Sequence, residues 1–103
     1  MEEATNVRRL RLNQRFKLFQ PTCMRLGHDN HRAHLLDLSV SGALVTATQP
    51  PAVGVTVFLR LLGGNRAARV VRRDGRQFGV EFAVPLTAEE VTALVNEWQE
   101  AAA

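Results

Sequence analysis

Residues 53–82, VGVTVFLRLLGGNRAARVVRRDGRQFGVEF, decide the fold class. Val53, Val55, Val57, Leu59 and Leu61 alternate with Gly54, Thr56, Phe58, Arg60 and Leu62. A period of two, rich in β-branched residues, is the pattern of a strand with one buried face. Gly63-Gly64-Asn65 follows as a hairpin turn, Arg66–Arg73 pairs back, and Asp74-Gly75 is a second, two-residue hairpin signal. Arg76–Val84 then reads as the last strand, with Phe78, Val80 and Phe82 on one face.

Toward the N-terminus the same kind of run recurs. Phe16–Leu26 carries Phe16, Leu18, Phe19, Cys23, Met24 and Leu26, with Pro21 at an edge or bulge position. Gly27–Asn30 reads as a turn. Arg32–Val40 and Gly42–Thr48 are two strand-like runs that meet at Ser41-Gly42, and Pro50-Pro51 makes Gln49–Val53 a loop. After the last strand the period changes. Thr87-Ala88-Glu89-Glu90 is a capping box, and Val91, Leu94, Val95 and Trp98 form one apolar helical stripe. The expected fold is all-β: a six-stranded antiparallel β-barrel, closed or nearly so, with a C-terminal α-helix packed on it.

The chain of 103 residues, 46% of them apolar, fits one domain with a modest core. Residues 1–15 are polar and carry Arg8, Arg9, Arg11 and Arg15, so they read as a basic N-terminal arm, mobile without a ligand; 16–103 is the barrel with its helix. The basic residues are 12 Arg and one Lys, and that skew says more than the net charge of +3. Arginine offers a planar fork of donors for phosphate, carboxylate or a guanine edge, so an anionic partner such as a nucleotide or nucleic acid is expected. Cys23 stands alone, which excludes an internal disulfide and a multi-cysteine zinc site. No signal peptide or membrane span is visible, and the expected compartment is the cytoplasm.

Two short signatures carry the chemistry. Arg11-Leu12-Asn13-Gln14-Arg15 is an R-x-x-x-R, and Asp37-Leu38-Ser39-Val40-Ser41-Gly42 is a D-x-S-x-x-G. The first alone says little, because Arg69–Arg73 and Arg72–Arg76 share its spacing. The order of the two, the strand spacing, the Gly79-Val80-Glu81-Phe82 run and the following helix together closely resemble the PilZ domain family of bacterial cyclic di-GMP receptors, from Arg8 to Trp98. The resemblance implies a six-stranded barrel with the ligand on its outer surface, an arm that becomes ordered over it, output through an unidentified downstream protein partner, and a role in motility, exopolysaccharide (biofilm) or virulence control. It implies no enzymatic activity and no cofactor beyond the ligand.

The residue types fit that ligand, which has two phosphodiesters and two guanines. An arginine fork matches the O6 and N7 acceptors of guanine, and Arg11 and Arg15 stand at the family's pair for guanine and phosphate. An ionised Asp37 can accept from guanine N1–H and N2–H₂. Ser39 can donate to phosphate or accept from the base, and Gly42 lets the backbone bend and the ligand approach. Arg8, Arg9 and Ser41 are auxiliary candidates. Leu10 stands where many members have a further Arg that accompanies a stacked ligand dimer, so one ligand per protomer is expected.

Each feature has a plainer reading. Arg11 and Arg15 could be a solvated arm, and Asp37 and Ser39 could simply stabilise a turn. His28, His31 and His34 recur every third residue, but on a strand positions i and i+3 face opposite ways, so no metal site is expected. Asp37 and Ser39 lie two apart on one strand with no nucleophile elbow, which argues against a catalytic triad. Arg60, Arg66, Arg69, Arg72, Arg73 and Arg76 form either a solvated face or a docking surface for an acidic partner. A PilZ-type interaction module that binds no nucleotide is the alternative function. A single-stranded nucleic-acid barrel is the third, disfavoured because the chain has no Tyr, one Trp and five Phe that read as mostly buried.

Overall fold

Each alternating run sends one apolar row to a common interior. The structure, a computed structural model, describes residues 14–102. Six strands, β1 (Phe16–Leu26), β2 (Asp29–Leu38), β3 (Gly42–Ala47), β4 (Thr56–Leu61), β5 (Gly64–Asp74) and β6 (Gln77–Phe82), precede one helix, α1 (Ala88–Ala102). The strands form a closed antiparallel barrel in the order β1-β2-β3-β6-β5-β4. Met24, Leu35, Leu38, Val45, Val57, Leu59, Val70 and Phe78 are fully buried inside it. A barrel of this size is filled by its own side chains, so a ligand must bind outside.

Closure is uneven. β4 returns to β1 through only Met24↔Leu59 and Arg25↔Phe58. The Thr22 hydroxyl, donating to the Arg60 carbonyl at 2.7 Å, and the Arg25 guanidinium, 4.9 Å from the centre of the Phe58 ring, reinforce this seam.

The hairpin turns lie elsewhere than the glycine signals indicate. The loop between β4 and β5 has two residues, Leu62-Gly63, closed by Leu61↔Gly64, rather than three over Gly63-Gly64-Asn65. Leu62 and Gly63 have φ of 53° and 75°, as a type I′ turn demands at both central positions. A left-handed leucine costs about 1–2 kcal/mol. Register explains why it is accepted. A three-residue loop would turn Arg69 and Val71 inward, whereas the observed pairing turns in Ala68 and Val70 and leaves Arg66, opposite Leu59, to reach Glu90. The β5–β6 loop is likewise Gly75-Arg76, and the β1–β2 loop is Gly27-His28, so Asp29 and Asn30 already belong to β2. The alternation from Val53 also overstates β4: Gly54 takes a φ of 94°, and the regular strand starts at Thr56.

The helix forms where the capping box places it. Glu90 N–H donates to Thr87 Oγ1, and Thr87 N–H donates to Glu90 Oε1, both at 3.0 Å. Glu89 and Glu90 also face the positive end of the helix dipole. Val91 and Leu94 are buried against the barrel, Val95 and Trp98 half-buried. Arg66 of β5 donates to the Glu90 carboxylate, so the same carboxylate caps the helix and ties it to the sheet. These contacts, led by the Thr87 N–H and then Arg66, hold the Glu90 carboxyl below its usual value.

Thr87→Ala is expected to cost about 1 kcal/mol by urea denaturation at pH 7. Glu90→Gln separates cap from charge. Because the folded carboxyl titrates below the unfolded one, its contribution is complete above the ordinary carboxylate range. It is lost as pH falls through that range to the lowered folded value. The stability gap between wild type and Glu90→Gln should therefore narrow on acidification.

Candidate functional site

The outer face across β1, β2 and β3 gathers the candidate residues. The turn that carries them is built first. Ser39 N–H donates to the Gly42 carbonyl at 2.9 Å, which closes a tight turn over Val40-Ser41 between β2 and β3. The Ser39 hydroxyl is buried inside this turn, 3.3 Å from Gly42 N, Gly42 O and Ser41 Oγ. The chain leaving the barrel locks the turn from outside: Phe82 N–H donates to Ser41 O and Leu86 N–H to Val40 O, each at 2.8 Å.

Gly42 is required by contact rather than by its φ. A Cβ there would lie 2.1 Å from the Val80 carbonyl oxygen of β6, far inside van der Waals contact. The backbones of β3 and β6 can approach this closely only because that atom is missing. The motif glycine is thus fully accounted for by barrel closure.

Asp37 stands just before this turn, displaced outward by a register shift between Leu35 and Asp37. Its cross-strand partner on β1 is Lys17. Arg15 stands just before β1, two residues ahead of Lys17, and its Nη1 donates to Asp37 Oδ1 at 2.8 Å. Asp37 is mostly covered, with 17% of its side chain exposed, while Arg15 is 52% exposed. The structure therefore brings Arg15, Asp37, Ser39, Ser41 and Gly42 together, with Arg15 and Asp37 in direct contact. Arg8, Arg9, Leu10 and Arg11 lie outside the described residues.

Two residues of the outer surface are not singled out by the sequence reading. Phe19 is 56% exposed, not buried, and stacks on His34 with ring centres 4.3 Å apart and planes 13° from parallel. The signal for it was faint: a register shift between Lys17 and Gln20 breaks the alternation and turns Phe19 out. The second is Arg72 of β5, which sequence alone merges with the other arginines.

An open cleft of about 590 Å³ lies elsewhere, between Gln14, Phe16 and the first turn of α1. Among the described residues that line it, the one ionised group is Glu89, which would repel an anion. Arg15 and Lys17 both stand beside Asp37, and charge rather than volume favours that face as the candidate site.

A family model described as PilZ domain matches residues 9–97. Among solved structures, the crystal structure of the PilZ domain of CeSA from a cellulose-synthesizing bacterium is similar to this chain. Its TM-score is 0.58 at 16% identity, covering 88% of this chain and all of that one. At that identity the likeness establishes the fold. A comparison with curated proteins gives no match.

Gly42→Ala should destabilise the fold by about 3 kcal/mol or more, since backbone must shift to admit the methyl group. Arg15→Ala removes one half-exposed partner of an ion pair and moves no backbone, so it should change stability far less, by about 1 kcal/mol. Thermal melts of the two variants against wild type check this contrast.

Proposed function

The chain belongs to the PilZ domain family, and from that premise we propose that it is a cyclic di-GMP receptor that binds one guanine and its phosphate on the outer barrel face at Arg15 and Asp37. PilZ domains are generally cyclic di-GMP binding modules. The Arg15–Asp37 contact carries the reading for this chain. It sets a guanine-matching donor fork, half exposed, beside a guanine-matching acceptor on the outer face, next to a turn locked to the barrel.

Binding exchanges partners rather than creating charge. In the free protein, Arg15 and Asp37 satisfy one another. The arriving guanine offers N1–H and N2–H₂ to the Asp37 carboxylate, while Arg15 turns its donors to O6 and N7 or to a phosphate oxygen. An exposed ion pair is worth at most about 1 kcal/mol, so giving it up costs little against charge-assisted bonds to the ligand. Ser39 and Gly42 serve chiefly by fixing the turn that aims Asp37, and Ser41 presents an exposed hydroxyl beside it. Arg11 adds the second fork as residues 1–15 fold over the ligand, with Arg8 and Arg9 supplying further charge. Leu10 leaves room for one ligand per protomer.

The covered ligand and arm form a new surface for a downstream protein partner, in the manner of an order-on-binding switch. The protein then acts as a cytoplasmic receptor with no catalysis of its own, in motility or biofilm control. Among the described residues no helix is long and apolar enough to cross a membrane.

Calorimetric titration of cyclic di-GMP tests the reading, with GTP as control. Wild type should bind saturably with one ligand per protomer, and Arg15→Ala and Asp37→Ala should each weaken binding tenfold or more. A stoichiometry of two would overturn the Leu10 inference. No binding by folded wild type would transfer the assignment to a PilZ-type interaction module.

A further inference from the structure

A row of directly opposed residues crosses the outer face from the candidate site to β5. Lys17 pairs with Asp37, Asp37 with Leu44, Leu44 with Gly79, and Gly79 with Arg72. Three register shifts border this row, at Lys17/Gln20, Leu35/Asp37 and Val70/Arg72. Such bulges re-aim side chains, and here each leaves a charged group facing out of the barrel at one level.

Gly79 clears a path along that row. A Cβ on it would lie 2.8 Å from Arg72 Nε and 3.0 Å from Arg72 Cγ. The Arg72 side chain therefore lies across Gly79, which stands between Arg72 and Leu44 in the row. Next to it is a shallow depression of about 160 Å³, lined by Leu44, Arg72, Arg73, Asp74, Gln77 and Gly79 among others. Among the described residues the ion pairs are Arg15–Asp37 and Arg66–Glu90, so Arg72 holds no carboxylate. Among the described residues no acceptor takes up its donors, so this guanidinium is open to an acceptor that is still to arrive.

Geometry limits what that acceptor is. Asp37 and Arg72 are three strand spacings apart, about 14 Å between backbones, and Arg72 leans back across one of them. A ligand whose guanine sits at Arg15 and Asp37 has to run over Leu44, a flat apolar floor, before it meets Arg72. We propose that Arg72 is a third arginine of the nucleotide site, donating to the half of the cyclic dinucleotide that extends past Asp37, at a phosphodiester oxygen or the O6/N7 edge of the second guanine. This assignment rests on the cyclic di-GMP reading above. It gives Gly79 a role: to let Arg72 lie down over the strand.

The test is titration of cyclic di-GMP into wild type, Arg72→Ala, Gly79→Ala and, as a matched charge control, Arg76→Ala at the tip of the same hairpin. Circular dichroism melts would verify that each variant folds. Arg72→Ala should weaken binding about tenfold to a hundredfold. Gly79→Ala keeps the arginine but displaces it, and should weaken binding in the same direction. Arg76→Ala should stay within about threefold of wild type. If wild type binds and Arg72→Ala binds equally well, this inference falls while the receptor reading stands. Equal losses from Arg72→Ala and Arg76→Ala would also overturn it, because general charge attraction would then suffice. Failure of wild type to bind would overturn both.

Discussion

The close crossing of β3 and β6 at Gly42 is the constraint on which the rest of the molecule depends. No side-chain atom fits between Gly42 and the Val80 carbonyl. With that atom absent, β3 joins β6, and the two halves of the barrel (β1-β2-β3 and β6-β5-β4) become one closed surface. The same contact fixes the turn over Val40-Ser41, whose carbonyls receive Phe82 and Leu86 as the chain departs. A short turn locked at both ends holds Asp37 at its shoulder with little freedom. Barrel closure and placement of the acceptor are thus two results of one packing requirement.

Charge on the outer face follows from irregularity in the strands. Regular alternation would give a smooth barrel with apolar residues inside and polar ones scattered outside. Instead, three register shifts gather Lys17, Asp37 and Arg72 on one line, with Leu44 and Gly79 between them as a low floor. The lone carboxylate on this line is answered by Arg15 in the free protein. A dianionic ligand bearing guanine donors would replace that internal pairing and find unused donors at both ends of the row. The filled interior and Glu89 on the rim of the cleft beside α1 suit an anion less well than this face.

Much of this was legible in the sequence, for definite reasons. Period-two runs bury one face whatever their partners are, so the six strands and the inward rows through Val57, Leu59, Phe78 and Val80 could be read locally. The Thr87–Glu90 box is likewise a local device, and it closes as read. Turn positions were less legible. Gly63-Gly64 and Asp74-Gly75 announce hairpins, but the register of buried residues on both strands decides which two residues bend, and it places Leu62 at a positive φ. Bulges leave almost no local signature, so the exposure of Phe19 was missed. Gly42 and Gly79 were visible as glycines, but their reasons lie in the neighbours Val80 and Arg72, which only tertiary pairing supplies. Arg15 and Asp37, 22 residues apart, were linked by motif order, and the structure brings them to 2.8 Å.

The central claim is that a nucleotide lies on the outer face along the row from Arg15 to Arg72. The most direct measurement is a ¹⁵N–¹H chemical-shift titration of the labelled protein with cyclic di-GMP. The account predicts saturable shifts at Arg15, Lys17, Asp37, Ser41, Leu44, Gly79 and Arg72, with the amides of Val91 to Trp98 on α1 little moved. Shifts centred on α1 and the cleft beside Phe16, or no saturable shifts at all, would contradict it.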